Sequence, residues 1–529
     1  MEEKRNPDYT CTILSVAALL FAPLLFGIII GSTGPALDTM KNEVRNHAND
    51  ILKLDVPHEL VVFDSAKAAW FSALVAIGAI KGGLVSGMIT KSIGYKGAIW
   101  GTIPFYIVSW FIMGYSNNWS LLLWARMATG LAVGINCFTV PSYISEVSPP
   151  HLRGILGASH QLSITVGILL VYFLGMFFRV SGGKVYSSTE QSIPLMDMLQ
   201  GDSGTIGSQS PALMVSVFNE APPNSFCNWR SLSLFNLTPT FIFCFVLMFV
   251  PESPRWLASH GKLEEALVSL NTLRGGGHTE ADVFALVNMF TIKEGIVVAK
   301  RPDPVSYWDL LKCKRQMGIG LALQFFQQFS GINAIMLFCT TIMRRARVQH
   351  AEIVSVTVMF EQVIVTALAC FLMDRAGRRI LLITGAVVMA FACSIFGCYF
   401  ALDSLGSTHN NIILVFVAAY TYMAGFSIGV GAIPFLILGE IIPPDLIPVG
   451  ASLATTFNWV CCFVVTISFE AIANLISNAG VMWLFGVVCL GLVFFTAVFV
   501  PETRGKSPQE IQKYFASKSP PDEERTRLL

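Results

Sequence analysis

The sequence predicts an all-α membrane protein: twelve transmembrane helices in two pseudo-symmetric six-helix bundles, joined by cytoplasmic linker helices. Three observations predict it. Of the 529 residues, 53% are hydrophobic and only 13% charged, against about a quarter charged in a soluble domain. The apolar residues gather in runs of about 20, the length that crosses a ~30 Å hydrocarbon core. The same short texts then recur, in the same order, in both halves of the chain.

Composition excludes several classes of protein. A mean hydropathy of +0.61 rules out a soluble enzyme, a secreted disulfide scaffold and a disordered chain. A net charge of +1 rules out a strongly basic nucleic-acid binder, so no nucleic acid is expected as a partner. The expected setting is the lipid bilayer, and the expected state a monomer. The 12 cysteines sit mostly inside apolar runs, as Cys370, Cys393 and Cys461–Cys462 do, where Cys behaves as a small hydrophobe. Their spacing matches no zinc pattern. No nucleophile elbow or phosphate-binding loop is present either, so neither metal, cofactor nor catalytic residue is expected.

The apolar runs lie at 12–37, 66–89, 97–115, 120–144, 155–178, 230–250, 316–343, 352–373, 379–402, 410–437, 449–474 and 479–500. Each must be helical, because lipid leaves every backbone group to be satisfied within the segment. The first is too long for a cleaved signal and lacks a small-residue cleavage site. Orientation follows from Lys and Arg near the span ends. With both termini inside, Lys91, Lys96, Arg153, the basic residues of 251–315 and Arg375, Arg378 and Arg379 are cytoplasmic. The short outer loops near 116–119, 403–409 and 475–478 carry no Lys or Arg. Arg344, Arg345 and Arg347 fall outside and run against the rule.

These spans divide the chain into an N-terminal bundle, 1–250, a cytoplasmic linker, 251–315, a C-terminal bundle, 316–500, and a cytoplasmic tail, 501–529. The exofacial segment 179–229 is rich in Ser and Gly at 201–210 and reads as a mobile loop. The linker has helical text at 262–270, with Gly275-Gly276-Gly277 as a stop. Two sequons occur: Asn118-Trp-Ser120 lies on the predicted outer face, and Asn236-Leu-Thr238 falls within a span.

The repeats carry the two-bundle reading. Glu146-Val-Ser-Pro-Pro-His-Leu152 is matched by Glu440-Ile-Ile-Pro-Pro-Asp-Leu446, and Pro251-Glu-Ser-Pro-Arg255 by Pro501-Glu-Thr-Arg-Gly505. Each copy closes a corresponding span on the same side. Parallel duplication of this kind is common in transporters, with the substrate between the halves near the midplane. Proline and glutamate also recur at helix ends for purely local reasons; two matches in order make that bland reading the weaker one.

The seventh span supplies candidate substrate ligands. Gln324, Gln327 and Gln328 stand at i, i+3 and i+4 on one helical face. Three amides against lipid would be costly, so that face must look into protein or water. Amides both donate and accept, which suits a neutral polar ligand. The competing explanation is plain helix bridging.

At Pro251-Glu-Ser-Pro-Arg-Trp-Leu257, Asp374-Arg-Ala-Gly-Arg-Arg379, Gln327-Gln-Phe-Ser-Gly-Ile-Asn333, Pro501-Glu-Thr-Arg-Gly505, Arg126-Met-Ala-Thr-Gly130 and Glu146-Val-Ser-Pro-Pro-His-Leu-Arg153, the chain resembles the sugar porter family of the major facilitator superfamily. The resemblance runs from about residue 14 to 510. The first span, from Phe26 to Pro35, looks most like the third class of animal facilitative hexose transporters. There are departures: the first-half counterpart of Asp-Arg-Ala-Gly-Arg-Arg is Lys91-Ser-Ile-Gly-Tyr-Lys96, and Ser427 stands where many members have glutamate.

The resemblance implies a substrate-binding set. Gln327, Gln328 and Asn333 match residues that bind sugar hydroxyls. Asn333 sits off the Gln324 stripe on a straight wheel, and Gly331 is placed to turn it inward. Gln161 in the fifth span is the first-half candidate. Asn458-Trp459 resembles the pair in which the indole packs on the sugar ring. Gln362 stands where an asparagine often binds, and Phe435 where the family has a tryptophan. Phe338 is a candidate cap for the outer end. A cytoplasmic gate is implied at Arg126, Glu146, Arg153, Glu252, Arg255, Asp374, Arg375, Arg378, Arg379, Glu440 and Glu502, as charge pairs that join the halves.

The expected function is facilitative uniport of a monosaccharide, such as glucose or another hexose, by alternating access. Proton-driven relatives have an aspartate just after the Phe-Gly pair of the first span; here the text is Gly27-Ile28-Ile29-Ile30. A coupler needs an intramembrane group that changes charge, and His160 and Glu361 are the substitutes on offer. A proton-coupled sugar or polyol symporter, or a non-transporting sugar sensor, is the alternative. The tail, Glu524-Arg-Thr-Arg-Leu-Leu529, matches an acidic dileucine address read by sorting adaptors, which puts endosomal or lysosomal membrane beside plasma membrane as expected locations.

Overall fold

The computed structural model describes residues 8–37, 39–40, 65–149, 152–177, 229–275, 290–293, 296–299, 307–346, 348, 350–405, 412–443, 446–506 and 508–517. Cys227, residues 179–228 of the outer loop, and the tail residues Glu524, Leu528 and Leu529 lie outside that set.

Nine stretches among the described residues are long and apolar enough to cross a membrane. Two of them each contain more than one span. Ser65–Trp100 bends at Gly94, which ends the second span and starts a third that continues through Ile103–Tyr115. Ile447–Phe499 turns at Ser477, whose hydroxyl caps the following helix by accepting from the Gly480 N–H at 3.3 Å. The seventh span is assembled from three shorter helices, Lys314–Phe329, Ile332–Leu337 and Cys339–Arg345. Counted this way the apolar runs give twelve spans in two groups of six.

Small residues let the helices of each half approach closely, the packing expected where lipid gives no hydrophobic drive between helices. In the first half a Cβ added to Gly130 would lie 2.0 Å from the Val75 carbonyl oxygen, and one added to Gly78 would lie 2.0 Å from that of Met127. In the second half Gly385 and Gly425 press on each other's backbones in the same way. Across the halves, the second span packs on the eleventh and the fifth on the eighth.

The linker follows the sixth span with two short helices, Pro254–Ser259 and Leu263–Leu273. Ser253 caps the first through its side chain, and Gly275 has φ +61 just after the second. The linker is not wholly helical: Phe290–Lys293 pairs antiparallel with Ile296–Ala299. Isoleucine and valine at 296–298 favour that extended pairing. We call the side carrying the linker the linker end, and the opposite side the far end.

The two sequons differ in exposure. Asn118 is exposed and caps the fourth span, accepting from the Ser120 N–H at 2.9 Å. Asn236 is only 1% exposed, which withdraws it from any glycosylating enzyme.

Candidate functional site

Between the halves lies a closed set of amides. Gln324, Gln327 and Gln328 project from Lys314–Phe329, and all three are buried. That helix stops at Ser330, and the chain turns through Gly331 at φ +93. The turn brings Asn333 back over the stripe, where its Nδ2 donates to Gln328 Oε1 and, at 3.2 Å, to Cys462 Sγ. From the eleventh span, Asn458 Nδ2 donates to Gln324 Oε1 at 2.7 Å and Gln327 Oε1 at 2.9 Å. Gln328 Nε2 returns a bond to Asn458 Oδ1 at 3.0 Å. Gln327 Nε2 donates to the Val430 and Gly431 carbonyls at 2.8 and 2.7 Å, on a stretch of π-helix in the tenth span. Such a stretch breaks the regular ladder and often marks a functional site.

The network is nearly satisfied, but several buried polar atoms have no partner: Gln324 Nε2, Gln362 Oε1, Ser427 Oγ, Thr456 Oγ1 and Thr466 Oγ1. Leaving such groups unpaired costs free energy. A polyhydroxyl ligand that reached the cluster would give them both donors and acceptors.

Beside the amides is a cavity of about 10 Å³, with Ile30, Thr33, Ser72 and Arg126 from the first half facing Asn333, Trp459 and Thr466 from the second. That is room for about one water. The halves meet on either side of it. Toward the far end, Tyr172 Oη donates to the Met336 carbonyl at 2.6 Å. Toward the linker end, Ser452 Oγ donates to the Gly83 carbonyl at 2.8 Å. Trp459 meets Phe26 across the gap, with ring centroids 5.5 Å apart. Phe338 is buried and stacks on Phe469 at 5.2 Å.

Of the binding residues expected from sequence, Gln324, Gln327, Gln328, Asn333, Asn458 and Trp459 come together here. Only Asn333 and Trp459 of this set line the cavity; Gln324, Gln327, Gln328 and Asn458 are joined to its wall through Asn333, and Gln161, Gln362 and Phe435 are not among its lining residues. Gln362 is buried in the eighth span, Gln161 is half-buried, and the Phe435 ring is 41% exposed at the head of Ile433–Ile441. Thr33, Ser72, Cys462 and Thr466 were not singled out from sequence. A hydroxyl or thiol in an apolar run is common, and only tertiary packing shows which of them face one cavity.

The gate residues separate into two latches. In the first half, Glu252 accepts from the Tyr95 and Lys96 backbone N–H groups at 3.1 and 3.0 Å. Glu146 accepts from Tyr95 Oη at 2.6 Å and from Ser253 Oγ. In the second half, Glu502 accepts from the Arg378 and Arg379 N–H groups, each at 3.1 Å. Arg378 pairs with Glu440 at 3.3 Å, and Arg379 donates to the Ala497 carbonyl.

Glu252 and Glu502 therefore each sit at a helix N-terminus, where unpaired N–H groups and the helix dipole favour negative charge. The residue before each helix is a glycine at positive φ: Gly94 at +84 and Gly377 at +92. A Cβ there would lie 2.2 Å from Glu252 Oε2 or 2.8 Å from Glu502 Oε2, so both the turn and the close approach need glycine. The two carboxylates differ in acidity. Burial raises the Glu252 pKa above its ordinary value despite three backbone donors. Burial also opposes ionisation of Glu502, but four backbone N–H groups outweigh it and hold that carboxyl below the ordinary value.

Both latches described above lie within one half each, and contacts across the halves include those of Tyr172, Ser452, Cys370 with the Ala158 carbonyl, and the aromatic rings. One expectation for the gate is corrected. Arg126 is not at the linker end. It is 1% exposed in the cavity wall, because the fourth span enters from the far end at Trp119 and carries Arg126 only two turns inward. Arg255 and Arg375 are exposed. The side chains of Arg153 and Asp374 lie outside the described set.

A family model described as "Sugar (and other) transporter" matches residues 14–195 and 212–515. Similar proteins include the solute carrier family 2, facilitated glucose transporter member 8 of Mus musculus, 30% identical over 97% of this chain and 96% of that one. The facilitated trehalose transporter Tret1 of Polypedilum vanderplanki is 30% identical, over 96% of this chain and 89% of its own. The sugar transporter ERD6-like 6 of Arabidopsis thaliana is 32% identical over 84% and 82%. Among solved structures, the xylose transporter XylE from E. coli in a partially occluded inward-open conformation superposes with a TM-score of 0.69 at 21% identity, covering 94% of this chain and 99% of that one. This last likeness speaks to the fold.

Proposed function

This chain belongs to the sugar (and other) transporter family of the major facilitator superfamily, and we propose that within it the protein carries a monosaccharide, glucose or another hexose, by facilitated alternating access. The family is one of transporters and not of enzymes. The observation that carries the reading is the amide cluster of Gln324, Gln327, Gln328, Asn333 and Asn458 beside the inter-half cavity. It is neutral, buried and short of partners at Gln324 Nε2, which suits hydroxyl recognition without a counter-ion. Loading pries Asn458 and Trp459 off their neighbours, replaces amide–amide bonds by amide–hydroxyl bonds, and separates Trp459 from Phe26. The relatives' names point to the same substrate class, with trehalose as a disaccharide member.

Binding and release on opposite sides require the Tyr172–Met336 and Ser452–Gly83 contacts to part in turn. We read the linker end as cytoplasmic, from the Lys and Arg bias. The membrane itself, plasma or endosomal, is left to the tail motif. Uptake of labelled glucose, fructose, xylose and trehalose into proteoliposomes tests the reading. Saturable uptake of at least one, competed by its unlabelled form, is expected; none above protein-free vesicles would overturn it.

A further inference from the structure

We propose that a transient site for sugar hydroxyls lies on the linker side of the central cavity, between Gly83 of the second span and Ser452 and Thr456 of the eleventh, and that a sugar crossing it opens the closure by taking over its hydrogen bonds. The inference rests on the sugar-carrier reading above and adds a step to it.

The eleventh span carries the site. Trp459, Cys462 and Thr466 line the central cavity. Thr456 and Ser452 stand three and seven residues before Trp459, on the same helical face and about one and two turns nearer the linker end. Thr456 is 8% exposed, and its Oγ1 has no partner. It meets the second span at a point without a side chain: a Cβ added to Gly83 would lie 3.0 Å from that oxygen. Ser452 is buried, and its Oγ donates to the Gly83 carbonyl at 2.8 Å. The same carbonyl accepts from Ser86 Oγ at 2.7 Å. One turn further on, a Cβ added to Gly87 would meet no atom within 4 Å.

This surface suits a neutral polyhydroxyl ligand in passage. Neither Gly82–Thr90 nor Leu446–Phe469 holds an Asp, Glu, Lys or Arg, so parting the two stretches leaves no buried ion unpaired. A buried hydroxyl without a partner costs free energy until a ligand meets it, and Thr456 Oγ1 is such a group. A sugar hydroxyl can donate to the Gly83 carbonyl as Ser452 does, while Ser452 Oγ pairs with the next hydroxyl of the ring. The number of hydrogen bonds is kept as the seam parts, so opening is easier with sugar than without it. The opposite seam is closed as lightly at this end, by Cys370 Sγ donating to the Ala158 carbonyl at 3.8 Å. A role in packing alone leaves the bare Thr456 hydroxyl without a purpose.

Every transport cycle passes the linker end, so turnover reads this step whichever way the carrier sits in a vesicle. The test compares equilibrium binding with equilibrium exchange of labelled glucose, or of whichever of the four sugars above the wild type takes up, in the full-length protein. Thr456→Val keeps the shape and removes the hydroxyl. Its turnover should fall about fivefold, the low end of what a buried hydrogen bond is worth. Its affinity should stay within about twofold of wild type, and its thermal stability should be no lower, since the lost hydroxyl had no partner. Thr456→Ser, which keeps the hydroxyl, should restore turnover. Should Thr456→Val fail to fold, Thr456→Ala carries the same expectation. Turnover equal to wild type in the folded variant, or a fall matched by an equal loss of affinity, overturns this site and leaves the carrier reading standing. No uptake of any of the four sugars by the wild type overturns both.

Discussion

Each amide at the centre of this protein is held by another amide. Removing Gln327 frees Asn458 Nδ2 from one acceptor and releases the Val430 and Gly431 carbonyls. Removing Asn333 frees Gln328 Oε1. We therefore expect Gln327→Ala and Asn333→Ala to weaken sugar binding about 5–150-fold, the worth of roughly 1–3 kcal/mol for a buried hydrogen bond, with delivery to the membrane intact. Equilibrium binding to the purified variants checks this; unchanged affinity in both would return the amides to helix bridging. The Gln stripe was legible because 3.6-residue periodicity puts i, i+3 and i+4 on one face. Asn333 breaks that periodicity, and the turn at Gly331 explains how it rejoins. Thr33, Ser72 and Thr466 were illegible, since their shared cavity is made by five different spans. Phe435 and Gln161 were carried over from the family resemblance alone, and neither is among the residues that line the cavity.

At the scale of elements, the duplicated Pro-Glu texts are a capping device. The carboxylate that follows each sixth span reaches back to the N-terminus of the third helix of its half, across a glycine at positive φ. The sequence repeat located both copies, but not their partners. Their donors are backbone N–H groups, which no residue pattern advertises.

The two latches should respond differently to acid. The folded-state pKa of Glu502 is lowered, so its contribution is present above the ordinary carboxylate value and lost only as pH falls below it. That of Glu252 is raised. The folded state then binds the extra proton, and stability falls as pH rises through the interval above the ordinary value of 4.5. Thermal unfolding in detergent should thus show Glu502→Gln less stable than wild type at pH 7, with the gap persisting at pH 5. Wild type gains stability at Glu252 on the same acidification, so any advantage of Glu252→Gln at pH 7 should narrow and any deficit should widen. Identical pH dependence for the two variants would contradict the assignment.

Charge reversal tests the second latch by another route. Arg378→Glu breaks the pair with Glu440 and sets a carboxylate beside it and Glu502. We expect it to shift the carrier toward the form open at the linker end, read as greater labelling of cysteines placed in that vestibule, with sugar binding still measurable. Glu440→Arg should act in the same direction. Labelling equal to wild type in both would remove the latch from the gating mechanism.

For the whole molecule, the twelve-span fold was legible almost throughout, because hydrophobic runs and charge bias are properties of the chain itself. The second break of the seventh span at Phe338, the π-helical stretch of the tenth and the linker hairpin were not, because they depend on tertiary contacts. Energetics follow from the interior. Proton coupling demands a titrating side chain whose affinity for a proton the substrate can shift. At the first-span position where proton-driven relatives carry aspartate, Ile29 is fully buried, and Arg126 is met there by a backbone carbonyl that holds no proton. Glu361, half-buried with Oε2 unpartnered, and His160 are the groups a coupled mechanism would have to use instead.

The decisive measurement is net sugar movement in proteoliposomes under an imposed pH gradient, begun from equal sugar concentrations on both sides. A facilitative carrier predicts no net flux, and an internal concentration that matches the external one at every gradient applied, in wild type and in Glu361→Gln alike. Accumulation above the external concentration that a protonophore abolishes would contradict the account, and its loss in Glu361→Gln or His160→Gln would identify the coupling group.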